Sequence, residues 1–140
     1  MSSSVLLLSF DGRRTGRRIS LPLRYLKNDV GLVCFTTDNA TWWRNFEEPY
    51  PVDVLVVGKT LSGLASTERV TTGEPLEALR LFLSKFPADA AYHHVSVVDG
   101  IPSEADLTST SIRSVRVQIV WTRLSSTEGS WKNRVPFSTG

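Results

Sequence analysis

The chain contains few of the residues that build metal centres or disulfide frameworks. Among its 140 residues there are two histidines and one cysteine. Cys34 has no partner for an internal disulfide and lies in an apolar run, which favours a buried thiol in a reducing compartment. His93 and His94 are adjacent, so they cannot face one metal ion from the same strand or helix face. Since no Cys or carboxylate stands at ligand spacing, we expect no metal site.

Long hydrophobic runs are absent too. The first apolar run, residues 5–8, is too short to cross a membrane, has no basic region before it and is soon followed by Asp11. This pattern predicts neither a signal peptide nor a membrane span, and we expect a cytoplasmic protein. No Ser-His-Asp set with a recognisable local signature is present, which disfavours a hydrolase.

The cations are unevenly distributed along the chain. The formal net charge is only +2, yet residues 1–27 contain five Arg and one Lys against one Asp, a local excess of +5. Such an asymmetry indicates an anionic partner near the N-terminal segment and argues against a generally basic protein.

The cations concentrate at residues 12–18, a predicted turn that contains Gly12 and Gly16. The turn carries Arg13, Arg14, Arg17 and Arg18. Four guanidiniums so close together repel each other, and their planar form fits phosphate or carboxylate, so we expect an anion to bind here. Thr15 and the two glycines would let a hydroxyl and backbone N–H groups point at that anion. The alternative is a solvated hairpin tip.

The segment after this turn alternates strictly between apolar and polar residues. One face carries Ile19, Leu21, Leu23 and Tyr25. Period-two alternation predicts a half-buried strand, and the glycine-rich connection before it predicts a hairpin. Pro22 within the strand indicates a sheet edge or a position without a ladder hydrogen bond.

Similar patterns predict one small barrel with short helices. Strands are expected at residues 5–10, 18–26, 31–37, 52–57, 61–70 and 115–121. Their short connections favour antiparallel pairing, because parallel strands need crossover helices for which there is no room. Helices are expected over residues 42–46 and 74–86, whereas residues 88–111 show no strong periodicity. Residues 125–140 are polar and are expected to form a flexible tail after a single domain at 1–124.

Three short motifs follow one another in the first third of the chain. They are Gly-Arg-Arg-Thr-Gly at 12–16, Leu-Pro-Leu-Arg-Tyr at 21–25 and Trp-Trp-Arg-Asn-Phe at 42–46. Their order and spacing resemble the deazaflavin-dependent nitroreductase family, and the similarity covers residues 10–72 and 114–124. The resemblance implies a mainly β fold, a split β-barrel of the FMN-binding type related to pyridoxamine 5′-phosphate oxidase. It also implies an oxidoreductase that passes hydride from reduced coenzyme F420 to an organic acceptor.

Carried over by position, the resemblance also implies a set of cofactor-binding residues. Arg13, Arg14, Thr15, Gly16 and Arg17 would meet a phosphate or the acidic tail of the cofactor. Thr36 and Thr37 would lie beside the ring, and Trp43, Arg44 and Asn45 near the phosphate loop. Arg44 stands where the family often has a histidine, and residues 36–40 replace a segment that is usually Gly-rich. The added cation suits an anionic cofactor, with FMN as the alternative to F420.

The chemistry of such an enzyme belongs mainly to the cofactor. The ring would lie on a barrel wall near Leu21, Leu23 and Tyr25 or at the strand end with Thr36 and Thr37. Tyr25, Tyr92, Thr36 and Thr37 are the candidate donors of a proton or hydrogen bond. A largely apolar, aromatic pocket suits a quinone, nitroaromatic or activated enone as acceptor.

Three other functions remain open at this point. The barrel could bind a flavin-like or lipid ligand without turnover, or use FMN as a reductase. A basic hairpin with tryptophans could also bind single-stranded nucleic acid, but the aromatics do not recur along one strand face with basic residues between them. A homodimer is expected, since split barrels commonly bury one sheet face against a second copy.

Overall fold

The structure is a computed structural model and describes residues 4–122. Its strands are β1 (Val5–Asp11), β2 (Arg18–Arg24), β3 (Leu26–Lys27), β4 (Gly31–Thr37), β5 (Tyr50–Val56), β6 (Lys59–Arg69), β7 (Val97–Val98), β8 (Ile101–Pro102) and β9 (Ser114–Trp121). Its helices are a 3₁₀ helix (Trp42–Phe46), α1 (Glu74–Lys85), α2 (Pro87–Ala90) and α3 (Glu104–Ser111). Within the described residues a seven-stranded sheet has the order β2-β1-β5-β6-β9-β4-β3, and β7 pairs with β8. The predicted mainly β, antiparallel class is confirmed.

β1 and β2 form the predicted hairpin on either side of the arginine-rich turn. Their register pairs Phe10 with Ile19 and Leu8 with Leu21. β1 buries every second residue, although its continuous apolar run predicts burial on both faces. β2 is an edge strand of the sheet, in agreement with the position of Pro22.

The second predicted strand breaks at Tyr25. β2 ends at Arg24, and the chain resumes as β3, which pairs with β4 and not with β1. The Tyr25 N–H donates to the Ser4 carbonyl at 3.1 Å. The prediction of one strand over residues 18–26 is therefore wrong at its end, because alternation does not encode which strand is the partner.

Two glycines lie where backbones approach closely. A Cβ at Gly63 would lie 2.9 Å from the carbonyl oxygen of Val120, and a Cβ at Gly31 would overlap the carbonyl oxygen of Ile119. Gly63 within an apolar strand pattern predicts such an approach. A larger residue at either position would push β9 away from its neighbour.

The helix predicted after Gly73 is present, and residues 88–111 contain more structure than their pattern predicts. α1 buries Leu79, Phe82 and Leu83. Pro87 follows the end of α1 and opens α2, because the first helical turn needs no proline N–H. The β7–β8 hairpin and α3 follow within the segment that lacks periodicity.

The chain divides into two compact units. Unit 1 contains residues 4–34, 48–66 and 118–122, and unit 2 contains residues 35–47 and 67–117. The core of unit 1 includes Leu6, Leu8, Phe10, Val54 and Ile119. The core of unit 2 includes Leu79, Phe82, Leu83, Leu107 and Val117. The single domain at 1–124 stays a prediction, and the tail predicted at 125–140 lies outside the described residues.

The β5–β6 hairpin holds a strained residue whose replacement we expect to stabilise the protein. Val57 and Gly58 form its two-residue turn with φ values of 48° and 78°, and Val56 pairs with Lys59. A β-branched side chain is unfavourable at positive φ, whereas Asn-Gly is preferred in such turns. Val57→Asn should therefore raise the free energy of unfolding by about 1 kcal/mol in urea denaturation.

The β7–β8 hairpin provides a control with the reverse substitution. Asp99 and Gly100 join β7 to β8 with φ values of 52° and 76°, and Asp99 is already a favoured residue. Asp99→Val should lower the stability by a similar amount. Equal stabilities for Val57→Asn and the parent protein would contradict strain at Val57.

Candidate functional site

The arginine turn, residues 12–18, is closed by its own backbone. The Gly12 N–H donates to the Arg17 carbonyl at 2.7 Å, and the Gly16 N–H donates to the Gly12 carbonyl at 2.8 Å. Gly16 has a φ of 74°, which glycine adopts without strain. The Arg17 N–H donates to Thr15 Oγ1 at 3.2 Å. These three N–H groups are used within the turn, so the backbone donors expected from Gly12 and Gly16 are not available to an anion.

The arginines of the turn differ in their partners. Arg18 pairs with Asp53 at 2.5 Å and with Asp11 at 3.3 Å. The hydrogen bond to Asp53, and to a lesser degree that to Asp11, raises the pKa of Arg18. The Cζ atom of Arg13 lies 4.5 Å from the centroid of the Tyr50 ring. The exposed side chains of Arg14 and Arg17 form no hydrogen bond or ion pair with another side chain within residues 4–122.

A shallow cavity of about 340 Å³ opens beside Arg18 in unit 1. Its charged lining consists of Asp11, Arg18 and Asp53, and Tyr50 and Gly63 also border it. Two carboxylates against one guanidinium give this cavity a formal negative charge. It therefore does not suit the acidic part of a cofactor.

The predicted apolar wall of the ring site lies on the core side of β2. Leu21 and Leu23 are half-buried and pair in register with the fully buried Leu8 and Leu6. Tyr25, at the break between β2 and β3, is only 6% exposed, and this burial raises the pKa of its phenol. A side chain buried to this degree mainly packs in the core.

Three of the predicted donor residues meet in unit 2. The Tyr92 hydroxyl lies 3.2 Å from Thr36 Oγ1 and 3.4 Å from Thr37 Oγ1, and we call this group the hydroxyl cluster. Both threonines are buried at the end of β4, whereas Tyr92 is 53% exposed. A tyrosine has one O–H, so it can donate to one threonine while it accepts from the other. The cluster thus links buried hydroxyls to an accessible phenol.

His93 follows Tyr92 and is buried, although residues 88–111 show no periodicity that would predict it. The rings of Tyr92 and His93 meet edge to face with centroids 5.1 Å apart. His93 is 1% exposed, and its Nδ1 has no hydrogen-bond partner in the described part of the chain. Burial lowers its pKa to about 4. Among residues 4–122 no group of three or more His, Cys, Asp or Glu could hold a metal ion.

The 3₁₀ helix Trp42–Phe46 is anchored by its aromatic residues. Trp43 and Phe46 are buried, and the Asn45 amide donates to the Trp42 carbonyl at 2.9 Å. In the preceding loop the N–H groups of Asp38 and Ala40 donate to backbone carbonyls. These two amides are therefore not available to an anion.

Arg44 and Arg69 both approach the ring of Trp43. Their Cζ atoms lie 4.6 Å and 5.4 Å from its centroid. The sequence motifs point to Trp43 and Arg44, but no local signal singles out Arg69, which comes from the end of β6. Only the tertiary structure reveals this contact.

The structure thus groups the predicted site residues into two sets. The arginine turn with Leu21, Leu23 and Tyr25 belongs to unit 1. The hydroxyl cluster with Trp43, Arg44 and Asn45 belongs to unit 2. A common cofactor groove that includes both sets stays a prediction.

Comparison with solved structures identifies the fold. HutZ, the heme storage protein from Vibrio cholerae, superposes with a TM-score of 0.61 and 12% identity over 88% of this chain and 84% of that chain. The fold is a split β-barrel. A protein of unknown function from Agrobacterium tumefaciens, Atu2129, superposes with a TM-score of 0.53 and 17% identity. The alignment covers 84% of this chain but only 51% of Atu2129.

Sequence comparisons add no family to this assignment. No family model matches the chain, and no curated protein sequence matches it. The deazaflavin-dependent family is thus supported only at the level of the split-barrel fold. None of the helices within residues 4–122 is long and apolar enough to cross a membrane.

Proposed function

We propose that this split barrel is an oxidoreductase that uses reduced coenzyme F420, with FMN as the alternative cofactor. The acceptor would be a quinone, a nitroaromatic compound or an activated enone. The hydroxyl cluster is the observation that carries the proposal, because it provides an accessible phenol supported by two buried hydroxyls. The split-barrel fold supports it as well.

The donor set fits an anionic cofactor. The guanidiniums of Arg14 and Arg17 have no hydrogen bond or ion pair to another side chain in the described part of the chain, and Arg13 and Arg44 are exposed cations. Guanidiniums bind phosphate and carboxylate groups through charge-assisted hydrogen bonds. Arg13, Arg14 and Arg17 would hold the acidic part of the cofactor, and the reduced deazaflavin would supply a hydride when bound.

The hydroxyl cluster would serve the acceptor. When the acceptor takes up a hydride, negative charge develops on its carbonyl, quinone or nitro oxygen, and a nearby O–H stabilises that charge. Tyr92 would donate the hydrogen bond or proton to this oxygen. Thr36 and Thr37 would orient the phenol, since both lie within hydrogen-bond distance of its oxygen. The phenol is exposed enough to contact a bound acceptor.

A binding titration tests the cofactor assignment. We expect F420 to quench the tryptophan fluorescence of the protein, and Arg14→Ala and Arg17→Ala each to weaken its affinity roughly tenfold, because each removes a charge-assisted hydrogen bond. Lys59→Ala is the matched control, since Lys59 is also an exposed cation of unit 1. Unchanged affinity in both arginine variants would contradict a role for the turn.

Turnover and ligand choice separate the alternatives. Oxidation of F420H2 by a quinone in the presence of the protein would support an enzyme, and binding without turnover would support a carrier. A heme or flavin carrier is the second candidate, because a heme storage protein has the same fold. Titrations with FMN, heme and a short oligonucleotide distinguish these ligands. Binding of the oligonucleotide alone would replace the proposed enzyme with a nucleic-acid-binding protein. Size-exclusion chromatography tests the homodimer that we also propose.

A further inference from the structure

Tyr92 lies in a short turn whose backbone is held on both sides. The Ala90 carbonyl accepts from the His93 N–H at 3.0 Å and from the Val95 N–H at 2.9 Å. Ala90, His93 and Val95 are all buried, so the turn is anchored in the core of unit 2. This anchoring fixes the Cα atom of Tyr92, but rotation about the side-chain bonds would still move the phenol.

The hydrogen bonds of the hydroxyl cluster are weak by themselves. The distances of 3.2 Å to Thr36 and 3.4 Å to Thr37 exceed the usual range for two hydroxyl oxygens. Because Tyr92 is 53% exposed, water competes for its phenol oxygen. Another contact is needed to keep the phenol beside the threonines.

The ring of His93 supplies that contact. The rings of Tyr92 and His93 are nearly perpendicular, with an interplanar angle of 88° and centroids 5.1 Å apart. Aromatic rings attract each other in this edge-to-face arrangement. His93 is 1% exposed, so its ring is held by the surrounding core and offers Tyr92 a fixed surface.

His93 itself does not act on an acceptor. Burial lowers its pKa to about 4, so the ring is uncharged at neutral pH and is not an acid for the reaction. Its Nδ1 has no hydrogen-bond partner among residues 4–122. The position therefore uses the ring of His93 and not its charge, and any influence on the reaction passes through Tyr92.

We propose that His93 is a positioning residue whose buried ring holds the Tyr92 phenol in the hydroxyl cluster. The inference rests on the proposed oxidoreductase, in which Tyr92 donates to the acceptor. The ring of His93 restricts the rotamers of Tyr92, and Thr36 and Thr37 then fix the phenol oxygen. A donor that is already in place stabilises developing charge without reorganising during the reaction. His93 therefore affects kcat and not the binding of the acceptor.

Two substitutions separate the ring of His93 from its volume. His93→Leu keeps a side chain of similar size without an aromatic edge, whereas His93→Phe keeps a ring. With F420H2 and a quinone at neutral pH, His93→Leu should lower kcat about fivefold with little change in KM, since the phenol acts in the transition state. His93→Phe should restore most of the loss. His94→Asn is the control, because His94 is exposed and asparagine tolerates its φ of 60°.

A double variant tests whether the effect passes through the phenol. Tyr92→Phe removes the O–H and should lower kcat by itself. In that background His93→Leu should cause no further loss, because the donor that it positions is gone. Losses that multiply in the double variant, or equal kcat values for His93→Leu and the parent protein, would overturn the proposal.

The methyl signals of Thr36 and Thr37 in NMR spectra report the position of the phenol without turnover. An aromatic ring shifts the signals of nearby methyl groups, and Tyr92→Leu gives their positions without the ring. In His93→Leu both signals should move most of the way to those positions, and in His93→Phe they should stay near the parent values. Parent-like signals in His93→Leu would contradict positioning by His93.

These two measurements keep the inference separate from the proposed function. If the parent protein does not oxidise F420H2, the oxidoreductase fails, but the methyl signals still show whether His93 holds Tyr92. His93→Gln also lacks the ring and replaces His93→Leu in both measurements if the leucine variant does not fold. The same losses and shifts are then expected.

Discussion

Replacing Glu68 and Glu74 together with glutamine should lower the free energy of unfolding by about 3 kcal/mol, because it leaves the buried guanidinium of Arg116 without a negative partner. Arg116 on β9 is 8% exposed, and its guanidinium donates to Glu68 at 2.8 Å and to Glu74 at 2.9 Å. The two carboxylates are 55% and 72% exposed. Glutamine keeps an acceptor oxygen but removes the negative charge that makes burial of Arg116 tolerable. Urea denaturation measures the change.

The opposite substitution should cost less. Arg116→Met keeps much of the buried volume and leaves two carboxylates that water can hydrate, so we expect a loss of about 1 kcal/mol or less. Combining Arg116→Met with both glutamine changes should restore most of the stability lost in the glutamine double variant. Glu77→Gln is the control, because Glu77 pairs with Arg80 on the surface and such pairs contribute under about 1 kcal/mol. Equal losses of stability in all these variants would contradict the role of an unpaired buried charge at Arg116.

Alternation and turn residues predicted most of the strands well. The buried run of β4 has the predicted bounds Gly31–Thr37, and β9 differs from its prediction by one residue at its start. β4 is short, apolar and bounded by Asn and Asp, whereas β9 alternates between apolar and polar residues over most of its length, so local chemistry defines both. The sheet order cannot be predicted in this way, because β3 and β2 follow each other in sequence but pair with different strands.

Residues 88–111 show which local signals periodicity overlooks. α3 is rich in Ser and Thr and has no apolar stripe, but Ser103 caps it by accepting a hydrogen bond from the Asp106 N–H. A Ser followed three residues later by Asp resembles a capping motif and could have located the helix. Asp99-Gly100 is likewise a hairpin signal that the sequence contains.

Long-range contacts of the site were beyond any local pattern. Thr36 and Tyr92 were separate candidates, and only the fold brings their hydroxyls within 3.2 Å. The sequence also treats the four arginines of the turn alike, whereas Asp53 on β5 pairs with Arg18. Residue type therefore predicted which side chains were candidates, and strand pairing determined which of them have partners.

Acidification should destabilise the protein through His93. Its folded pKa of about 4 lies below the unfolded value of about 6.5, mainly because burial disfavours the charged ring. The nearby Asp89 opposes this effect and His94 adds to it. Above pH 6.5 the ring is neutral in both states, so His93 gives no pH dependence there. Between pH 6.5 and 4 the unfolded state binds a proton that the folded state excludes, and stability falls as the pH falls.

The expected loss from His93 is about 2 kcal/mol at pH 5 and about 3 kcal/mol near pH 4. His93→Gln cannot titrate, so its stability should fall less between pH 7.5 and 5 than that of the parent protein. The difference between the two curves isolates His93 from the carboxyl groups that titrate at lower pH. His94→Asn is the control, because His94 is exposed and asparagine tolerates its φ of 60°. If His93→Gln and the parent protein lose stability in parallel over this range, His93 is not buried in its neutral form. The packing of Tyr92 against that ring would then also need revision.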